Sequence, residues 1–369
     1  MDLHQLLVKN AEAGLELFDK KDHMPAGHNG PYHDPETPVR NTSHWTITFL
    51  KSHQITNEDR YLQAAKKCIS YLTTEKVRPH GYTFHHRNIS GKDSSNGLIG
   101  QAWCIEALVA AGNLLEKPEL LDLAKSVFLI HPFNSKLAAW EIIDIDGSNK
   151  GCDLTLNHQI WFAASGAKVV ESQIPSDQIK RQIKRFLDEL DSNARLYSSG
   201  LIYHNIYPNI CSLKIGVWGI ENIKRRRIPM PILERIRSET KTEQRKKAIG
   251  YHPFNLYGLA MLKRVFPNHP LWDSNMFNKI LRYGQSETFR DELDINPYAY
   301  SFNCSGIEMA VAEHVFHNNT EMAREWLSEQ FERTLDLETK LLTKNTEDTL
   351  TTSARIYEAT RLPNIPNVC

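Results

Sequence analysis

The fold is decided by residues 96–115, NGLIGQAWCIEALVAAGNLL. Apolar and small side chains cover every face of the helix that this stretch would form, and a helix that is apolar all round has to be buried on all sides. Three later segments have the same character: 155–169 (TLNHQIWFAASGAKV), 252–262 (HPFNLYGLAML) and 301–316 (SFNCSGIEMAVAEHVF). The sequence therefore predicts an all-α protein with helices at its centre.

Charge-studded amphipathic helices alternate with these apolar ones. Examples are YLQAAKKCISYLTTEK (61–76) and DQIKRQIKRFLDELDSN (177–193), which would expose one face to solvent. Helix pairs that recur in this way form an open solenoid or a closed ring. No repeated consensus and no polar capping repeat is evident, which favours an (α/α)6 toroid. The six predicted outer and inner helices pair as 3–18 with 42–53, 58–74 with 96–113, 118–130 with 154–170, 176–191 with 252–265, 271–284 with 301–316, and 319–333 with 347–361.

One closed ring accounts for the whole chain as a single domain, 1–369, interrupted by an insertion at about 193–250. The insertion carries a further predicted helix at 229–246. The alternation typical of a strand is rare, and SGLIYHNIYPNI (199–210) is its best candidate.

Charge, hydropathy and cysteine spacing exclude several classes of protein. The 44 basic and 44 acidic side chains cancel, which argues against a general nucleic-acid binder. The sequence has no run of about 18 apolar residues, so no membrane span is predicted. Residues 1–22 have the pattern of an amphipathic helix rather than that of a signal peptide. The six cysteines lack CxxC spacing, which favours reduced thiols in a cytoplasmic protein. A homo-oligomer is compatible with the sequence.

The loops that lead into the inner helices are rich in polar and aromatic residues. In a toroid these loops open on one face, so their side chains would line one funnel. Aromatic faces beside amides and carboxylates suit sugars, whose CH faces stack and whose hydroxyls need donors and acceptors. A single Asn or Asp before a helix is commonly an N-cap, so the shared chemistry of the loops carries the prediction. The predicted substrate-binding residues are Arg40, His44, His86, Asn96, Trp103, Asn157, His158, Trp161, His252, Tyr300, Asn303 and Arg355.

Cleavage of a glycosidic bond commonly uses two carboxyl groups. Asp153, Asp93 and Glu308 lie at or in the predicted inner helices, and Asp153 is the first candidate. Burial beside Trp103 or Trp161 would raise the pKa of a carboxyl towards that of a useful acid. Glu308 can equally pair with a basic residue across the funnel. No metal or cofactor is predicted, because HExxH, GxSxG, P-loop and GxGxxG patterns are absent.

Two other classes of function stay open. A polysaccharide lyase or uronate epimerase on the same toroid would abstract a proton with a histidine or tyrosine, for which His86, His158, His252, Tyr298 and Tyr300 are available. A glycan- or protein-binding toroid without catalysis is the second alternative. The first prediction is a glycoside hydrolase that acts on an oligosaccharide or polysaccharide-derived glycan. Arginines and lysines in the entry loops predict that this glycan contains an acidic sugar, because arginine matches carboxylates bidentately. These cations are Arg40, Arg87, Lys92 and Arg355.

Two segments resemble inner helices of (α/α)6 carbohydrate-active enzymes: NGLIGQAWCIEALVAAGNLL (96–115) and CDLTLNHQIWFAASGAKV (152–169). CDLTLNHQIWFAASGAKV (152–169) is similar to the stretch of unsaturated glucuronyl and rhamnogalacturonyl hydrolases that holds their catalytic aspartate. The resemblance implies that Asp153 is that aspartate, that Asn157 is the asparagine at the helix start, and that Asp93 lies near the second aspartate. The His-Asp-x-Gly pattern of those hydrolases is Lys92-Asp93-Ser94-Ser95 here. The segments HNGPYHDPETPVRNTSHW (28–45) and NPYAYSFNCSGIE (296–308) also resemble glycosidases of polysaccharide and protein-glycosylation gene clusters.

Overall fold

Inner and outer helices alternate along the chain and form an (α/α)6 toroid. The computed structural model describes residues 1–18, 23–206 and 241–369. The outer helices are α1 (Leu3–Glu16), α3 (Asp59–Leu72), α5 (Pro118–Leu129), α7 (Asp177–Asn193), α9 (Asn275–Gly284) and α12 (Thr320–Thr334). The inner helices are α2 (Val39–Thr56), α4 (Gly97–Leu114), α6 (Leu156–Glu171), α8 (Lys241–Val265), α11 (Ser305–Ala312) and α13 (Thr349–Ala354). A short helix, α10 (Glu287–Asp294), follows α9.

The inner helices close into a ring. Helix α2 packs on α4, α4 on α6, α6 on α8, and α8 on α11, while the 3-10 helix Arg355–Arg361 that continues α13 contacts both α11 and α2. The six predicted outer and inner helices and the toroid are therefore confirmed, but α3 packs mainly on α2, α5 on α4, α7 on α6 and α12 on α11, each on the inner helix before it. The single-domain boundaries 1–369 stay a prediction, and residues 207–240 of the predicted insertion lie outside the described residues.

Burial follows the two kinds of helix that the sequence distinguishes. In α7, Ile179, Ile183, Phe186 and Leu190 form one buried stripe, and Ser176 caps the helix by accepting the N–H of Ile179. Helix α4 is instead buried on nearly all sides. By length and composition α4 is also the one helix of the described residues that could cross a membrane, but 83% of it is buried inside the ring.

The boundaries of α8 differ from the predicted ones. The sequence predicted separate helices at 229–246 and 252–265, but the structure has one helix over Lys241–Val265 that passes through Pro253. Proline removes one backbone N–H from a helix, and at position 253 this is the N–H that would bond the carbonyl of Ile249. Residues 229–240 lie outside the described residues.

A small antiparallel sheet precedes α6. It consists of β1 (Phe133–Asn134), β2 (Ala139–Ile143) and β3 (Asn149–Cys152), in the order β1-β2-β3, with Trp140 opposite Phe133 and Ile142 opposite Gly151. The sequence assigned this stretch to a loop. The prediction of a strand at 199–210 is wrong for residues 199–206, the part that the structure describes. These residues form only isolated bridges, Ile202 with Leu196 and Asn205 with Thr155.

Candidate active site

A cavity of about 500 Å³ opens at the mouth of the ring where the inner helices begin. Its volume lies within the usual range for small-molecule sites. Nine of the fifteen predicted site residues line it: Arg40, Asp93, Asn96, Trp103, Asp153, Asn157, His158, Asn303 and Arg355. The loops entering the inner helices thus open on one face.

Three predicted residues lie away from the cavity. Trp161 stacks on Phe254 and Tyr257 at 4.3 and 4.9 Å between ring centroids. His252 packs edge-on against two outer rings, and burial lowers its pKa to about 3. The hydroxyl of Tyr300 donates to Glu329 at 2.8 Å. Trp161 thus packs between the inner helices α6 and α8, whereas His252 and Tyr300 contact the outer part of the ring.

His44 and His86 lie behind the cavity wall. Each presents its ring to Trp103 edge-on, at 5.3 and 6.1 Å between centroids, and His44 also stacks on Tyr357 at 4.3 Å. Burial, and then the charge of Arg40, hold the pKa of His44 well below its ordinary value and lower that of His86 to about 3. Both rings are therefore neutral supports of the wall near pH 7.

Glu308 is buried beneath the cavity and binds Arg355. Arg355 Nη2 donates to Glu308 Oε1 at 2.5 Å and lies 2.8 Å from Glu358 Oε1, to which Nε donates at 2.9 Å. Nη1 donates to Asn303 Oδ1 and to the carbonyl of Phe302. One cation therefore serves two carboxylates. Burial raises the pKa of Glu308 well above its ordinary value and that of Glu358 to about 7.

The loop before α4 collects three carboxylates on its backbone N–H groups. Asp93 accepts from Gly97 N at 2.6 Å, Asp144 from Ser94 N and Ser95 N at 2.9 and 3.1 Å, and Asp153 from Leu98 N at 3.3 Å. The first N–H groups of a helix have no partner within it and favour negative charge. Asp93 also binds Arg87 at 2.8 Å. Two of the three predicted catalytic carboxylates, Asp93 and Asp153, are thus tied into this network.

Asp153 and His158 form a pair at the cavity wall. Asp153 Oδ2 lies 2.8 Å from His158 Nδ1, while Oδ1 accepts the N–H of Thr155 at 3.0 Å. Burial opposes the charge of Asp153, which is 4% exposed, but His158 and the two backbone N–H groups hold its pKa below the ordinary value. An ionised Asp153 fixes the proton of neutral His158 on Nδ1. The side chain of His158 is 25% exposed, and its Nε2 makes no hydrogen bond within the described residues.

Gly97 allows this pair to form. A Cβ at Gly97 would lie 2.9 Å from Asp153 Oδ2 and 3.2 Å from His158 Nδ1, and the residue has a left-handed φ of +57°. Only glycine adopts such a φ at little cost and leaves that space open. Sequence reasoning did not assign Gly97 a role.

Several lining residues were missed as site residues. Lys247, Tyr251 and Phe254 face the cavity from α8 at i, i+4 and i+7. This spacing was hidden because Lys247 was assigned to the insertion and the inner helix was predicted to begin at residue 252. Burial raises the pKa of Tyr251 to about 12, and its hydroxyl lies 3.2 Å from that of Tyr32. Asp34, Asp144 and Lys150 also line the cavity, and no sequence signal distinguished these residues from other loop residues. No group of three possible metal ligands is present in residues 1–18, 23–206 and 241–369.

No protein-family model matches this chain. A relative of known name, however, aligns with it over nearly its whole length. Archaeal glycosylation protein Q from Haloferax volcanii is 44% identical over 362 residues, which cover 98% of this chain and 97% of that protein. This chain belongs to the archaeal glycosylation protein Q family.

Solved structures with the same fold are distant in sequence from this member of the archaeal glycosylation protein Q family. A cellobiose 2-epimerase from Bacillus thermoamylovorans has a TM-score of 0.63 at 11% identity and covers 95% of both chains. A D-mannose isomerase has a TM-score of 0.63 at 12% identity, covering 97% of this chain and 96% of that one. A family 76 glycoside hydrolase, a mannosidase from Bacteroides thetaiotaomicron, has a TM-score of 0.60 at 11% identity and covers 97% of both. The fold is that of carbohydrate-active toroids.

Proposed function

We propose that this protein is a glycan-acting enzyme that moves a proton on an acidic sugar, as a uronate epimerase does, with His158 as the proton-transfer group. The observation that carries the proposal is the Asp153–His158 pair at the cavity wall. An oriented histidine with one free nitrogen is a common general base. The lining carboxylates, by contrast, are engaged by backbone N–H groups or cations.

The proposed chemistry uses each part of this pair. His158 Nε2 takes the proton from the ring carbon next to the carboxylate, and the electron pair of the C–H bond moves into the carboxyl group. Asp153 orients the imidazole and stabilises the imidazolium that forms. The cations of the cavity stabilise the extra charge on the carboxyl oxygens. A water molecule protonates the opposite face of the carbon to give the epimer, and the hydroxide that is left takes the proton from the His158 imidazolium.

The charges around the cavity support an acidic sugar. Its described lining has four aspartates, Asp34, Asp93, Asp144 and Asp153. Its six cations outnumber them, although helix N-termini already make this mouth positive. These cations are Arg40, Arg87, Lys92, Lys150, Lys247 and Arg355.

The comparisons support a glycan as the molecule acted on. The relative at 44% identity is named a glycosylation protein, and the proteins of like fold are named as sugar epimerases, an isomerase and glycoside hydrolases. The described lining offers aromatic faces from Tyr32, Tyr251 and Phe302 beside amides from Asn29 and Asn303. This combination suits sugar rings and their hydroxyls.

A glycoside hydrolase is the second candidate, favoured by one observation. Asp93 and Asp153 border the same cavity and both accept N–H groups from the first turn of α4. Hydrolysis would use them as the two carboxyl groups. The contacts that hold the pKa of Asp153 below its ordinary value make it less suited to the role of general acid, which has to deliver a proton.

One incubation separates the two reactions. Oligosaccharides ending in glucuronic or galacturonic acid are incubated with the protein in D₂O and followed by NMR and mass spectrometry. We expect deuterium at the carbon next to the carboxylate, the appearance of the epimer, and no new reducing end. A new reducing end without deuterium on that carbon would instead establish hydrolysis and reject the epimerase proposal.

A cytoplasmic location, a homo-oligomer and the absence of nucleic-acid partners stay predictions from the sequence.

A further inference from the structure

Arg40 differs from the other cations of the cavity. We propose that Arg40 is the residue that selects the acidic sugar by binding its carboxylate. The inference rests on the proposed function, because it assumes a sugar substrate in this cavity, and it adds which side chain recognises the acid.

The other cations of the cavity are engaged by neighbouring groups, and Lys247 Nζ lies 5.7 Å from the centroid of the Tyr32 ring. Lys92 binds both oxygens of Asp34 at 2.5 and 2.7 Å. Arg87 binds Asp34 and Asp93 and donates its Nε to the carbonyl of Asp93. Lys150 lies 3.4 Å from Asp144. A substrate carboxylate would have to displace these acids.

Arg355 is engaged still more completely. Its Nε donates to Glu358, its Nη1 to Asn303 and a carbonyl, and its Nη2 to Glu308. Four of the five N–H donors of an arginine are thus used, and Nη2 also lies 2.8 Å from Glu358 Oε1. Arg355 is therefore held between two carboxylates in the floor of the cavity.

The guanidinium of Arg40 is only half engaged. Nη1 donates to Asn29 Oδ1 and to Glu36 Oε1, both at 3.1 Å. Nη2 makes no hydrogen bond to any described residue, and Nε is buried without a partner. The residue lines the cavity although it is only 2% exposed, so its charge lies where water screens it little.

Trp103 and Glu36 fix the orientation of this guanidinium. Its central carbon lies 4.2 Å from the centroid of the Trp103 ring, a distance typical of a cation–π contact. Glu36 contributes one oxygen, and its other oxygen is buried without a partner. Burial raises the pKa of Glu36, so its carboxylate compensates Arg40 incompletely. A planar, held arginine with donors to spare matches a carboxylate bidentately.

The test is a binding measurement that requires no turnover. Titration calorimetry or NMR compares glucuronic acid, its methyl ester and glucose on the wild-type protein. We expect glucuronic acid to bind about 10- to 100-fold more tightly than the two neutral sugars, the range for hydrogen bonds to a charged group. Equal affinity for the three ligands would overturn the inference.

Two variants then locate the preference. The double variant Arg40→Gln/Glu36→Gln removes both charges together, since an unpaired buried Glu36 would itself destabilise the fold. Arg40→Lys keeps the charge but loses the planar fork. We expect both variants to lose most of the preference for glucuronic acid and to keep their affinity for glucose. Arg185→Gln, which removes an arginine paired with Glu189 outside the cavity, is the matched control and should keep the preference.

The outcomes separate this inference from the proposed reaction. A preference that survives in Arg40→Lys and in the double variant overturns the role of Arg40, and if the double variant does not fold, Arg40→Lys decides. A preference that depends on Arg40 in a protein that incorporates no deuterium supports Arg40 and rejects the epimerase reaction.

Discussion

The helix ends at the two mouths of the ring are bound by side chains of opposite charge. Where the inner helices begin, Asp93, Asp144 and Asp153 accept backbone N–H groups. Where the helices end, Lys51, Lys168, Arg264 and Arg361 approach one another, and Arg264 donates to the carbonyl of Arg361 at 2.9 Å. Both arrangements complement the helix dipole, which is positive at N-termini and negative at C-termini.

The comparison shows which charges require a functional explanation. Acids at the first mouth and cations at the second stabilise helix ends and would be expected in any ring of this kind. A cation-rich cavity at the first mouth is not expected from the dipole, and neither is an imidazole such as that of His158 beside an ionised aspartate. We therefore expect catalysis to depend on His158 and substrate binding on Arg40, and we expect changes at the second mouth to affect stability alone.

Replacing His158 should have the largest effect. His158→Gln removes the proton-transfer group, which typically contributes about 100- to 10,000-fold to the rate. His314→Gln is the matched change near the second mouth, where burial and then Arg264 lower the pKa of His314. We expect kcat/KM on a uronate oligosaccharide to collapse only for His158→Gln, with similar melting temperatures for both. Activity of His158→Gln within a few-fold of wild type would refute the role of His158.

Asp153→Asn distinguishes an orienting carboxylate from a helix cap. Asn caps about as well as Asp, so a capping role alone would leave stability and activity intact. As the orienting group, the amide would turn an NH₂ towards His158 or Leu98 and disfavour the required tautomer. We expect kcat/KM to fall about 100-fold or more. Asp144→Asn, which binds the same loop but no histidine, should cost much less activity.

Gly97→Ala perturbs the pair without changing either member. The new Cβ would lie 2.9 Å from Asp153 Oδ2, so the pair has to shift, and a misplacement of about 1 Å can cost about 100-fold in rate. Gly81→Ala is the control, because Gly81 also has a left-handed φ but open space around its Cβ position. Both variants should lose about 1–2 kcal/mol of stability to the backbone. Equal kinetics in the two would show that the pair tolerates the displacement.

Glu358 lies between the two mouths and should make stability depend on pH. Burial raises its pKa from 4.5 to about 7, against the attraction of Arg355. Between these values the folded state binds more protons than the unfolded state, so stability falls as pH rises and the loss is complete above about 7. Glu358→Gln should therefore melt a few degrees above wild type at pH 8 and gain less at pH 5. If the melting temperature of Glu358→Gln differed from that of wild type by the same amount at pH 8 and at pH 5, this assignment would be contradicted.

Lys51→Met at the second mouth should have the smallest effect. Burial, and then the charge of Arg361, hold the pKa of Lys51 below its ordinary value, so the folded state disfavours its charge. We expect unchanged kcat/KM and a stability gain of no more than about 0.5 kcal/mol. A clear loss of activity would mean that the second mouth takes part in the reaction.

The helix pairs could be predicted because their signal is local. The pattern of an apolar stripe or of an all-apolar helix lies within one segment of the sequence, and the six predicted pairs follow from these patterns. The polar loops also indicated the correct mouth. The strands around Trp140 escaped prediction because they are short and are held by rings from three helices, those of Phe128, Phe162 and Phe186.

The sequence by itself determined the alternation of buried and half-buried helices, the face on which the loops open, and nine residues of the cavity. Only the tertiary structure decided what each of them does. Successive helical residues point about 100° apart, so Tyr251 faces the cavity while His252 packs outward. Glu308, a predicted catalyst, meets Arg355, and Asp153 is bound by the N–H of a neighbouring helix. These contacts join residues that are distant in the chain, so local periodicity could not predict them.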